Sequence, residues 1–136
     1  MSENMDSSDY KELFTDEFNS HFKKAAKHYR HSFENDFGVL LKVIQAKKEL
    51  SPQTEQINGL GKDIILPVYK IRMQIKEAQQ KNGRVVFLLD HKNKTLVFLD
   101  VYLKVHQANH DVNVIKNGCY GYFKEITKST EKNLNI

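Results

Sequence analysis

Apolar positions in the first third of the chain recur at helical spacing. Phe14, Phe18, Phe22, Ala25, Ala26 and Tyr29 fall three or four residues apart from Thr15 onward, which predicts an amphipathic helix. Thr15 or Asp16 suits its N-cap, and Glu17 favours the positive end of its dipole. A second helical stripe, Phe33, Phe37, Leu40, Leu41 and Ile44, runs from about Ser32 to Leu50 and stops at Ser51-Pro52. A short basic turn joins the two into a helical hairpin. "YKELF" just before them reads either as a short strand or as the run-in to the first helix.

The pattern then changes to strands. "DIILPVYKIRMQI" is β-rich from Ile64 to Ile75, with Val68, Ile71 and Met73 as inward positions. The polar stretch "KEAQQKNG" leads to "RVVFLLD", and "HKNK" leads on to "TLVFLDVYLKV". Four residues between two apolar runs are hairpin spacing, so the three strands form an antiparallel meander. "NHDVNVIKNGCYGYFKEI" reads as a final short helix, with Gly118 and Gly121 counting against it. The predicted class is α+β: an N-terminal helical hairpin packed on a small antiparallel sheet, closed by a short C-terminal helix. One domain is expected over residues 10–126, with a disordered tail at 1–9 and a polar tail at 127–136.

Composition narrows the function classes. The chain has 136 residues, 40% of them apolar, enough for a single core. No window approaches the roughly 18 consecutive apolar residues of a membrane span. "MSENMDSSDY" has no apolar h-region, so a cytoplasmic protein without a membrane partner is expected. Cys119 is the single cysteine, which excludes an intrachain disulfide. Charge is uneven: up to Asp36, eight acids oppose five Lys/Arg, whereas sixteen Lys/Arg oppose nine acids thereafter. A basic remainder suits a polyanionic partner such as nucleic acid.

Several chemistries drop out. "GLGKD" lacks the spacing and hydroxyl of a phosphate-binding loop. His21, His28 and His31 occupy polar helix positions and His91 a hairpin turn. His106 and His110 share an i,i+4 spacing, but no third ligand completes a metal site, and no cofactor is expected. Nothing near Cys119 in sequence activates it as a nucleophile, so it reads as core.

The basic residues on the strands carry the strongest signal. Lys70 and Arg72 are two apart and share a strand face. Arg84 opens the next strand, beyond the loop bearing Lys76 and Lys81. Lys104 and His106 are again two apart at the exit of the last strand. In an antiparallel meander these groups converge on one face and hold an anion, or else pair with acids such as Asp90, Asp100 and Asp111, or extend into solvent.

The chain resembles the RelE/ParE toxin superfamily. "FNSHFKKAAKHYRHSFENDFGVLLKVI" is similar to that family's opening helical hairpin. "VYKIRM", "NGRVVFLLD" and "LVFLDVYLKVHQANHD" follow in the family's order, nearest to its RelE/HigB-like branch, over roughly residues 10–126. The resemblance implies the toxin of a bacterial type II toxin–antitoxin pair. It further implies a metal-independent, ribosome-dependent mRNA endonuclease in which the RNA 2′-OH attacks the adjacent phosphate. A cognate antitoxin, the ribosome and mRNA are the implied partners. Carried over, Arg84 and Arg72 clamp the phosphate, Lys104 supports them, and His106 or His110 moves a proton, as an imidazole can near neutrality. Lys70, Lys76, Lys81 and Tyr102 are the implied substrate-binding residues. The chain departs from the pattern at Val105, where some members carry a second arginine, and near Asp111, where some carry a tyrosine. Alternatives on the same fold are a ParE-like gyrase inhibitor and a non-catalytic nucleic-acid or protein-binding member.

Overall fold

The computed structural model describes residues 9–47 and 54–134, except for the side chains of Lys47, Lys81 and 130–134. The expected N-terminal tail up to residue 8 and the Ser51-Pro52 helix stop lie outside the described residues. Eight elements follow in order: β1 (Lys11–Phe14), α1 (Asp16–His28), α2 (Phe33–Lys47), β2 (Thr54–Gln56), β3 (Val68–Ile75), β4 (Gln80–Asp90), β5 (Thr95–Leu103) and α3 (Val112–Leu134). They build one five-stranded sheet in the order β1-β5-β4-β3-β2.

The expected meander is β3-β4-β5, all antiparallel. The sheet as a whole is mixed, because "YKELF" supplies an edge strand parallel to β5, with Lys11 opposite Thr95 and Phe14 opposite Phe98. Gln45 on α2 stitches that edge in place. Its amide accepts from Tyr10 N at 2.8 Å and donates to Tyr10 O at 2.9 Å and to Glu12 Oε2 at 2.7 Å. The chain turns directly from β1 into α1, where Thr15 caps the helix by accepting from Phe18 N at 3.1 Å.

Both faces of the sheet are covered. On one, α1 and α2 bury Phe18, Phe33 and Phe37 against Ile71, Val85, Phe87, Phe98 and Val101. Phe98 is wholly buried and meets the rings of Phe14, Phe18, Phe37 and Phe87 at centroid distances of 5.1 to 5.9 Å. On the other face, α3 and the segment before β3 lay Ile57, Leu60, Ile115, Cys119 and Tyr122 over Val68, Val86, Leu88, Val97 and Leu99. Of the three inward positions expected on β3, Val68 therefore faces α3, whereas Ile71 and Met73 face the helical hairpin. A strand covered on both sides carries no alternation of apolar and polar residues. All nine positions of β5 are buried for that reason.

Helix α3 is 23 residues long and runs through most of the stretch that reads as a polar tail. Asp111 caps it, Oδ1 accepting from Asn113 N at 3.0 Å and Val114 N at 3.3 Å. Its expected weakness at Gly118 is a fitting feature. A Cβ there would stand 2.7 Å from Leu99 Cδ2, so the missing side chain lets the helix lie close on β5.

A bulge in β5 sets the phase of its far end. Val86 faces Asp100 but the next residue, Phe87, faces Phe98, leaving Leu99 as the extra residue. Beyond this shift Val101 and Leu103 point to the hairpin side, and Tyr102 to the α3 side.

Candidate functional site

Three central strands aim one row of residues at the α3 side of the sheet. Arg72 on β3 lies directly opposite Arg84 on β4, which lies opposite Tyr102 on β5. One step up β3, Lys70 shares this face and stands opposite Glu55 of β2. Two arginines facing each other across a ladder repel and weaken it. The arrangement is electrostatically wasteful for a scaffold and well suited to an anion.

The neighbours of this row tighten it. Lys70 Nζ lies 3.1 Å from His110 Nδ1, bringing the segment before α3 onto the sheet. Burial pulls the Lys70 ammonium below its ordinary range, Glu55 opposes that, and Lys104 and Arg84 add to it. Burial and the adjacent Lys70 likewise lower the His110 imidazole, so it is held neutral. The Tyr102 hydroxyl is pushed up by burial against the pull of Arg84. Lys104 is anchored just past β5, its N–H donating to Asn82 O at 2.8 Å and its Nζ to Ala108 O at 2.5 Å. Arg84 Nη1 donates to Gly83 O at 3.0 Å, which lays the guanidinium along its own strand.

Lys70, Arg72, Arg84, Tyr102, Lys104 and His110 thus form one neighbourhood. His106 does not join it. Its ring lies 4.6 Å from that of His28 on α1, among residues of the opposite face. The strand ends at Leu103, and the turn that follows breaks the two-residue alternation that placed His106 beside Lys104. Lys76 sits in the turn after β3, its N–H donating to Asp36 Oδ2 of α2 at 3.1 Å. The Lys81 side chain lies outside the described residues.

The acids named as alternative partners are engaged elsewhere. Asp90 accepts from Tyr122 Oη at 2.6 Å and Asn93 Nδ2 at 2.7 Å. Asp100 meets His21 Nδ1 at 2.6 Å, and Asp111 caps α3. An acid that stands opposite the row is Glu55, from a three-residue edge strand too short to announce itself in sequence, and Asp100 also acts through space on Tyr102. Among the described residues no three His, Cys, Asp or Glu side chains gather as a metal site. Burial pushes the Cys119 thiol up to about 12, so it is no nucleophile.

One solved structure shares this architecture. A double arginine-to-alanine mutant of the E. coli toxin RelE, in the free state, matches with a TM-score of 0.50 over 74% of this chain and 90% of that one. The fold is RelE-like. Sequence identity across the match is 12%, so the RelE likeness concerns architecture and the chemistry rests on this chain's own side chains. No protein-family model matches the sequence, and no curated protein does.

Proposed function

We propose that this chain is a RelE-like toxin of a bacterial type II toxin–antitoxin pair and cleaves mRNA on the ribosome without a metal. The observation that carries this reading is the opposed pair Arg72–Arg84 beside the Lys70–His110 contact of 3.1 Å. Cleavage through the 2′-OH needs a base for the attacking oxygen, cations for the charge on the phosphorane, and an acid for the departing 5′-oxygen. Neutral His110 is the base, taking the 2′-OH proton. A phosphate drawn between His110 and Lys70 separates the two and leaves them on opposite sides of phosphorus, as in-line displacement requires. Lys70, already acidified by its surroundings, gives its proton to the 5′-oxygen, leaving a 2′,3′-cyclic phosphate and a free 5′-hydroxyl. Arg72, Arg84 and Lys104 hold the non-bridging oxygens on a rigid sheet, so little reorganisation is needed during the reaction.

A cytoplasmic setting and an antitoxin laid over the basic face complete the proposal. No helix among the described residues is long and apolar enough to cross a membrane. The test is induced expression with mapping of mRNA 5′ ends, comparing wild type with Arg84→Ala. New 5′ ends that vanish in the variant are expected. Growth arrest without new ends refutes the nuclease reading.

A further inference from the structure

The opposite face of the sheet carries a second group of ionisable side chains that the proposed cleavage does not use. His21, Lys24 and His28 recur at spacings of three and four along α1 and share one helix face. With His106 and Gln107 from the turn after β5, they line a groove of about 290 Å³ floored by Ala25 and Val101. The floor is apolar and closely packed, and the small Ala25 leaves room above it.

This groove is built rather than incidental. Asp100, 1% exposed at the β5 bulge, meets His21 Nδ1 at 2.6 Å and accepts from Val101 N at 2.8 Å, and burial raises its carboxyl against the pull of His21. A buried carboxylate on Nδ1 fixes the ring and leaves the Nε2 edge for a ligand. The rings of His28 and His106 stand 4.6 Å apart, tilted by 53°, so two imidazoles from different elements meet at one wall. Their ring N–H groups are donors suited to an anion held between the two elements. Lys24 adds a fixed positive charge one turn from His28. The negative groups beneath are Asp100 and, acting on it through space, Asp111. His21 stands between Asp100 and the groove.

We infer that this groove binds a tetrahedral oxyanion, donated to by His21, His28, His106 and Lys24, with donors distinct from Arg72 and Arg84, Tyr102 of the row lining its edge. The same phosphate chemistry comes either from a nucleic-acid backbone or from a free small ion, and the probes distinguish the two. Inorganic sulfate and a deoxydinucleotide are suitable, because neither changes charge between pH 6 and 8 and the second has no 2′-OH to react.

The measurement is histidine Cε1–H NMR of the full chain during titration with each probe. Saturable shifts of the His21, His28 and His106 signals are expected. Lys24→Ala and His28→Gln, both at exposed helix positions, should each weaken binding severalfold, whereas Arg84→Ala should leave these shifts intact. Response to both probes identifies a nucleic-acid phosphate as the ligand, and response to sulfate alone identifies a free oxyanion. Absence of shifts with sulfate, whatever the dinucleotide does, overturns the inference. So do shifts that both groove variants leave unchanged.

Discussion

Two glycines on one helix make a matched test of how α3 meets the sheet. Gly118→Ala and Gly121→Ala are chemically identical substitutions three residues apart. At Gly121 an added Cβ meets nothing within 4 Å, so the change gains only helix propensity, about 1 kcal/mol. At Gly118 the same gain is opposed by contacts at 2.7 Å to Leu99 Cδ2 and 3.4 Å to Thr15 Cγ2. Leu99 is wholly buried, so its methyl has nowhere open to go and the helix must lift or neighbours must shift. Overpacking of this kind costs about 1–3 kcal/mol, which cancels or exceeds the propensity term. The expected result is a Gly121→Ala protein more stable by about 1 kcal/mol and a Gly118→Ala protein unchanged or weaker by up to about 2 kcal/mol. Urea unfolding of both variants, with m-values compared to exclude a changed denatured state, measures the difference. If Gly118→Ala stabilises as much as Gly121→Ala, α3 does not need that close approach and the packing argument fails.

Three further predictions concern ionisable groups. Lys70→Met should raise the His110 pKa toward the ordinary imidazole range without reaching it, since burial is the larger cause and remains; an NMR titration that leaves His110 unmoved would deny the contact. Asp90 is buried, and although burial raises its carboxyl, hydrogen bonds from Tyr122, Asn93 and Lys92 carry the net effect downward. Its stabilising contribution is therefore present above the unfolded pKa near 4 and lost as pH falls through the lower folded value. Asp90→Asn should cost about 1–3 kcal/mol at neutral pH and flatten the acid arm of the stability curve, as read by urea unfolding from pH 6 to 2. Cys119, 0% exposed with its thiol at about 12, should resist iodoacetamide in the native protein and react at the rate of unfolding. Rapid alkylation of folded protein would show that the α3 face is not closed.

Much of the architecture was legible in sequence because it rests on local periodicity. The phenylalanine spacing gave both helices of the hairpin, and turn chemistry at "HKNK" gave the β4-β5 connection. What stayed hidden depends on distant partners. For "YKELF", open between a strand and a helix run-in, pairing with β5 decides for the strand, and the adjoining Thr15–Leu99 bond spans 84 residues. β2 has three residues and no pattern of its own. The candidate site divides the same way. Lys70 and Arg72 share a face by strand spacing alone, whereas Arg84 joins them through the β3-β4 register. His110 joins them across 40 residues, and Glu55 enters from the unread edge strand. His106 departs because a turn, unlike a strand, imposes no two-residue alternation.

The parallel pairing of β1 with β5 has a bearing on the order of folding. The hairpins β3-β4 and β4-β5 close short loops and can form early, whereas β1 must wait for a partner that lies near the far end of the chain. Phe14 stacks on Phe98 at 5.1 Å, so the aromatic core between sheet and hairpin is sealed only when that late contact is made. During synthesis the helical hairpin therefore emerges long before the surface it covers. Lys70, Arg72 and Arg84 precede β5 in the chain and His110 follows it, so the cationic cluster is complete only after the last strand has been made.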